Sequence, residues 1–146
     1  MIGILVTDSI SCRIYQYQRA HSHLLFLKEI NHPEHRLFTR ELISDKPGHY
    51  QSSHSTRGTY AQAMDPKEVM IDAFAREIAQ ELDAGRKKNL YDEFIIITPP
   101  AMEGLLTQHM NKHVRDRVIK TIHKDWMHLS EKELLEKVKE EAKYPG

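Results

Sequence analysis

The residues best suited to chemistry in this chain are ionisable and spread along it. Asp8, Asp45 and Asp125 each fall where a strand ends or the chain turns. Acids that converge at strand ends can hold Mg²⁺ for phosphoryl chemistry. Asp also caps turns by bonding its own backbone, so the plainer reading is structural. Asp8 and Asp125 form the candidate acidic cluster. Of the ten histidines, His21 with His23, His32 with His35, and His109 with His113 have spacings compatible with metal ligation. A catalytic zinc needs three protein ligands and an open position, and no His-Glu-x-x-His motif supplies that frame. The expectation is therefore no metal and no cofactor. Lys112, His113, Arg115, Arg117, Lys120, His123 and Lys124 form the densest basic stretch, with Trp126 after it. Such a stretch can bind RNA phosphates while an aromatic ring stacks on a base. The plainer reading is a solvated face, with Trp126 packed at the edge of the core.

Several classes fall away on motif grounds. Walker and Gly-x-Gly-x-x-Gly sequences are missing, as is the Gly-x-Ser-x-Gly elbow. Cys12 is the one cysteine, so there is neither an intrachain disulfide nor a cysteine cage for metal. It lies in an alternating segment and reads as a small buried hydrophobe; Arg13 beside it points to the other face.

These side chains must be positioned by something, and the length of 146 residues suits a single domain, expected to span 1–146. Twenty-one basic residues balance 21 acidic ones, which argues against broad adhesion to nucleic acid or membrane but leaves local patches open. The opening run Ile4-Leu5-Val6-Thr7-Asp8 is a first strand rather than a signal peptide, and no stretch approaches a membrane span. A cytoplasmic location and no membrane partner are expected.

The elements follow from periodicity. Residues 2–7, 12–17 and 24–30 read as three short strands in an antiparallel meander. A short helix is expected over 34–43. A long polar loop then runs over about 44–64, opening on the turn signal Ser44-Asp45-Lys46-Pro47-Gly48. Asp65 as N-cap, Pro66 at N1 and Glu68 as capping-box partner start a helix. Met70, Phe74, Ile78 and Leu82 give it one apolar stripe, and Gly85 is placed as the residue that ends it. Phe94 to Thr98 is a strand covered on both faces, and Pro99-Pro100 opens a helix with Met102, Leu105, Leu106 and Met110. A strand from about Arg117 to Lys124 closes a strand-helix-strand unit. Ser130 and Glu133 cap the last helix, whose buried face is Leu134, Leu135 and Val138. The fold class is α/β, a mixed sheet of about five strands with helices on its faces.

The ordered set of segments resembles a known family. It comprises Ile4 to Asp8 with Arg13-Ile14-Tyr15, His32-Pro33, Ser44 to Gly48, Phe74 to Ala79, Ile97-Thr98-Pro99-Pro100, Leu105-Leu106 and Lys124-Asp125. Together they look like the bacterial host attachment family, itself similar to the middle domain of archaeo-eukaryotic peptide-chain release factors. The resemblance implies a ribonuclease-H-like or ribosomal-protein-like sheet. It also implies a long loop where release factors carry a catalytic Gly-Gly-Gln tip. This chain's loop holds Gly48, His49, Gln51, Arg57, Gly58 and Gln62 but no Gly-Gly-Gln, so it lacks that tip's chemistry.

The leading expectation is a non-catalytic module that binds RNA, a ribosome or a protein partner. The candidate contacts are Asp45, Lys46, His49, Gln51 and Arg57 in the loop, with Arg115, Arg117, Lys120 and Lys124 in the basic stretch. The alternatives are a metal-dependent nuclease or RNA-ester hydrolase, which needs Asp8, Asp125 and a third ligand to converge, and a protein-interaction factor acting on attachment indirectly.

Overall fold

The computed structural model describes residues 1–18, 20, 23–32 and 65–141. The expected helix over 34–43 and the loop over 44–64 lie outside them. Among the described residues five strands form: β1 (Ile2–Thr7), β2 (Ser11–Tyr17), β3 (Leu25–Asn31), β4 (Glu93–Ile97) and β5 (Val118–Ile122). The same residues hold four helices: α1 (Pro66–Lys87), α2 (Pro100–His109), α3 (Lys112–Arg115) and α4 (Glu131–Glu141).

The strands assemble in the order β3-β2-β1-β4-β5. β1 pairs antiparallel with β2, and β2 with β3, as the meander requires. β1 pairs parallel with β4, and β4 with β5, so α2 crosses over within the expected strand-helix-strand unit. Every residue of β1 is buried because it is central and covered on both faces.

Alternation sorts the side chains into two cores. Leu5, Cys12, Ile14 and Ile96 face α1 and α2, packing on Phe74, Ile78, Leu82, Met102 and Leu106. Ile4, Val6, Tyr15, Ile95, Ile97 and Ile122 face the other way, onto Leu134, Leu135 and Val138 of α4. The sheet is thus sandwiched between one helix layer of α1 and α2 and another of α4.

Local signals place the helix ends, with two corrections. The Asp65 carboxylate accepts from the Lys67 backbone N–H at 2.8 Å, and Pro66 takes the first turn. Ser130 and Glu133 bond reciprocally, at 2.9 and 3.2 Å. Gly85, however, does not end α1; the helix continues to Lys87, and the left-handed residue is Asn89 at φ 63°. Gly85 is instead buried, against the ring of Tyr91. The strand expected over 117–124 shortens to Val118–Ile122 because a single turn, α3, precedes it. The Asn111 side chain caps that turn by accepting from the Val114 N–H at 2.9 Å, and Val114 is fully buried. Among the described residues no helix is long and apolar enough to cross a membrane.

Candidate functional site

The acids come first. Asp8 follows β1, and its Oδ1 accepts from the backbone N–H groups of Ile10 and Ser11, both at 2.8 Å. That carboxylate shapes the β1–β2 turn, the role Asp commonly takes. Asp125 is exposed beyond β5, with β4 lying between β5 and β1. Among the described residues no three His, Cys, Asp or Glu side chains come together as metal ligands.

Two of the candidate histidines meet carboxylates. His109 Nε2 lies 2.8 Å from Asp72 and ties α2 to α1, while His32 Nε2 lies 2.9 Å from Glu77. His109 and His113 do not share a helix face, because α2 ends at His109 and Met110 is extended. His21 and His35 lie outside the described residues, as do Asp45, Lys46, His49, Gln51 and Arg57.

The basic stretch is where the structure adds most. Arg115 follows the buried Val114 in α3, and one of its guanidinium nitrogens donates to the Met110 carbonyl at 2.7 Å. Arg117 donates to the His113 carbonyl at 3.2 Å. Carbonyl partners orient a guanidinium without neutralising it. Lys120 stands exposed on β5, a sheet edge, and Lys124 is exposed just past its end. Among the described residues none of these four forms an ion pair. Lys112 differs, since its ammonium meets Asp116 at 2.7 Å and holds that carboxyl below the usual range.

A second basic element meets the stretch where sequence reading placed only a helix end. Arg86 and Lys87 of α1 close on Asp83, at 2.7 and 3.4 Å. Burial pushes the Asp83 carboxyl up, but hydrogen bonds from Arg86 and Asn111 outweigh it and leave the group low. Asn111 therefore bridges the end of α1 to α3. The signal was present in Arg86-Lys87-Lys88, but its neighbourhood with residue 111 is a tertiary fact. Trp126 packs half-buried against the α4 side of the core, as expected of a packing residue. At the opposite sheet edge, Leu25 and Phe26 of β3 are 53% and 45% exposed.

Residues 3–138 match the family described as proteins required for attachment to host cells. The chain belongs to that family. No curated protein matches this family member. The crystal structure of an archaeal translation termination factor, aRF1, is similar over 82% of this chain and 29% of its own, at 16% identity and a TM-score of 0.48. This family member therefore spans less than a third of that factor, and the likeness is too loose to carry the factor's activity across.

Proposed function

We propose that this member of the host attachment family is a non-catalytic binding module that holds single-stranded RNA by its phosphates. The grip runs along the β5 edge through Arg115, Arg117, Lys120 and Lys124. One observation carries the reading: none of these four cations closes an ion pair among the described residues, Asp116 and Asp92 feeling Arg115 and Arg117 only through space, and both arginines are held in place by backbone carbonyls. Extended backbone rises about 3.3 Å per residue, so Arg117 to Ile122 covers roughly 16 Å, enough for a few phosphates of one strand, and a turn closed by the Lys124 N–H on the Ile122 carbonyl then carries Lys124. A role in attachment then arises at one remove, through RNA or the ribosome rather than at a surface.

Fluorescence anisotropy with a labelled oligouridine tests this. Each neutralised phosphate of a single strand contributes about −0.7 to the slope of log affinity against log salt, so four cations predict roughly −2 to −3. No detectable binding at low salt refutes the reading. The exposed Leu25 and Phe26 support a second reading, a protein partner at the β3 edge. Under it, a Phe26→Ser variant loses a partner recovered from cells while oligouridine leaves the wild type untouched. The acidic pair supports an enzyme less well, since Asp8 is engaged by its own turn.

A further inference from the structure

We propose that the cavity beneath the C-terminal end of α1 binds a small monoanion with an apolar body, a short carboxylic acid, through the Tyr91 hydroxyl and the Lys88 ammonium. The cavity holds about 240 Å³ between α1, β3 and the segment entering β4. Leu27 and Leu90 give it apolar walls, and Lys28, Glu81, Lys88 and Tyr91 supply its polar groups.

Tyr91 makes the case. The residue is 5% exposed, and its hydroxyl finds no hydrogen-bond partner among the described residues. Buried tyrosine hydroxyls are normally paired, so an orphan beside a cavity points to a partner inside it. The ring spans from Gly3 on the sheet to Gly85 on α1. A Cβ at Gly3 would lie 2.7 Å from Cδ1, and one at Gly85 would lie 3.0 Å from the hydroxyl oxygen. Gly85 itself lines the cavity, so the phenol's polar end is the end that reaches it. Burial pushes that phenol up to about 12, which keeps it a proton donor at physiological pH.

The charge balance selects an anion. Glu81 is engaged by Lys28, whose ammonium reaches its two oxygens at 3.2 and 2.8 Å. Lys88 has no ion pair among the described residues and remains as the surplus charge. The negative end of α1 does not oppose it strongly, because the Ala84 and Gly85 carbonyls already accept from the Lys88 and Leu90 N–H groups. An engineered apolar cavity of about 150 Å³ takes benzene, so this one accommodates a ring or short chain together with its carboxylate.

The test is a titration of isotope-labelled protein with benzoate, followed by amide chemical shifts, with benzyl alcohol as the uncharged comparison. Saturable shifts at Leu27, Gly85 and Leu90 are expected, with benzyl alcohol binding at least about fivefold more weakly. Tyr91→Phe and Lys88→Met should each weaken benzoate about fivefold, the worth of one hydrogen bond or charge contact. Tyr91→Phe removes an unpaired hydroxyl and should fold at least as stably as the wild type. Lys88 is exposed, so its variant gives the same reading without touching the core. Absence of saturable shifts with benzoate, phenylacetate and hexanoate overturns the proposal. So does benzoate affinity unchanged in both variants.

Discussion

Tyr91 shows how far one side chain can dictate its neighbours. Its ring lies against Phe94 at 5.2 Å between centroids and fills the space that Gly3 and Gly85 leave. Gly85→Ala therefore sets two effects against each other. Alanine inside a helix gains about 1 kcal/mol over glycine. Its Cβ, however, would sit 2.2 Å from Cε2 of a ring pinned at its other end by Gly3. Overpacking of that kind costs ~1–3 kcal/mol, so a net loss is expected, read as a lower thermal midpoint. A midpoint equal to or above the wild type would show that the ring can move. Cys12 is the converse case, a residue whose environment silences it. Burial pushes its thiol up to about 12, and the residue is fully buried. A disulfide reagent at pH 8 should leave the native protein unmodified and react stoichiometrically only in denaturant. Reaction in the native state would mean that β2 opens locally. The burial of Cys12 was legible from strand alternation alone. The partnership of Gly85 with Tyr91 was not, because a glycine near a basic helix end carries the same local signature as a helix terminator.

Helices were legible where their ends carry chemistry. Asp65-Pro66 and Ser130 to Glu133 specify their caps from adjacent residues, and the structure uses both. The turn of α3 was not legible, since residues 114–122 carry a four-residue apolar spacing and β-branched runs at once. What decides there is tertiary: Val114 reaches the helix-side core and Val118 pairs with Phe94. The α4 cap permits a prediction at this scale. Backbone and side-chain hydrogen bonds from Ser130 hold the Glu133 carboxyl below its ordinary range. A carboxyl lowered in the folded state contributes stability above its unfolded pKa and loses it as pH falls through the folded one. Ser130→Ala removes the hydroxyl that caps α4 and should cost about 1 kcal/mol at neutral pH. Measured as a chemical-denaturation difference, that cost should shrink as the medium is acidified below the usual glutamate range. A difference constant down to strong acid would assign the cap to the serine alone.

At the scale of the molecule, balanced composition conceals an uneven surface. The basic run was visible as a sequence, but its exposure on a sheet edge and its junction with the end of α1 depend on the order β3-β2-β1-β4-β5. The acidic pair was visible too; what the sequence did not show is that Asp8 braces the β1–β2 turn and that β4 lies between the strands the two acids follow. The distribution makes a charge-matched comparison decisive. Lys120→Glu with Lys124→Glu alters net charge as much as Lys132→Glu with Lys139→Glu, which lie exposed on α4 beside His23 and Leu24. If the overall field governed RNA affinity, both doubles would weaken oligouridine alike. Phosphate contacts fall off within a Debye length of about 10 Å at 0.1 M salt, so the site's position matters more than the sum. The β5 double should lose on the order of tenfold or more and flatten the salt slope by one to two units, roughly one per lost contact. The α4 double should retain affinity within about twofold and keep its slope. Equal losses in the two doubles would dissolve the edge as a site and leave only nonspecific attraction.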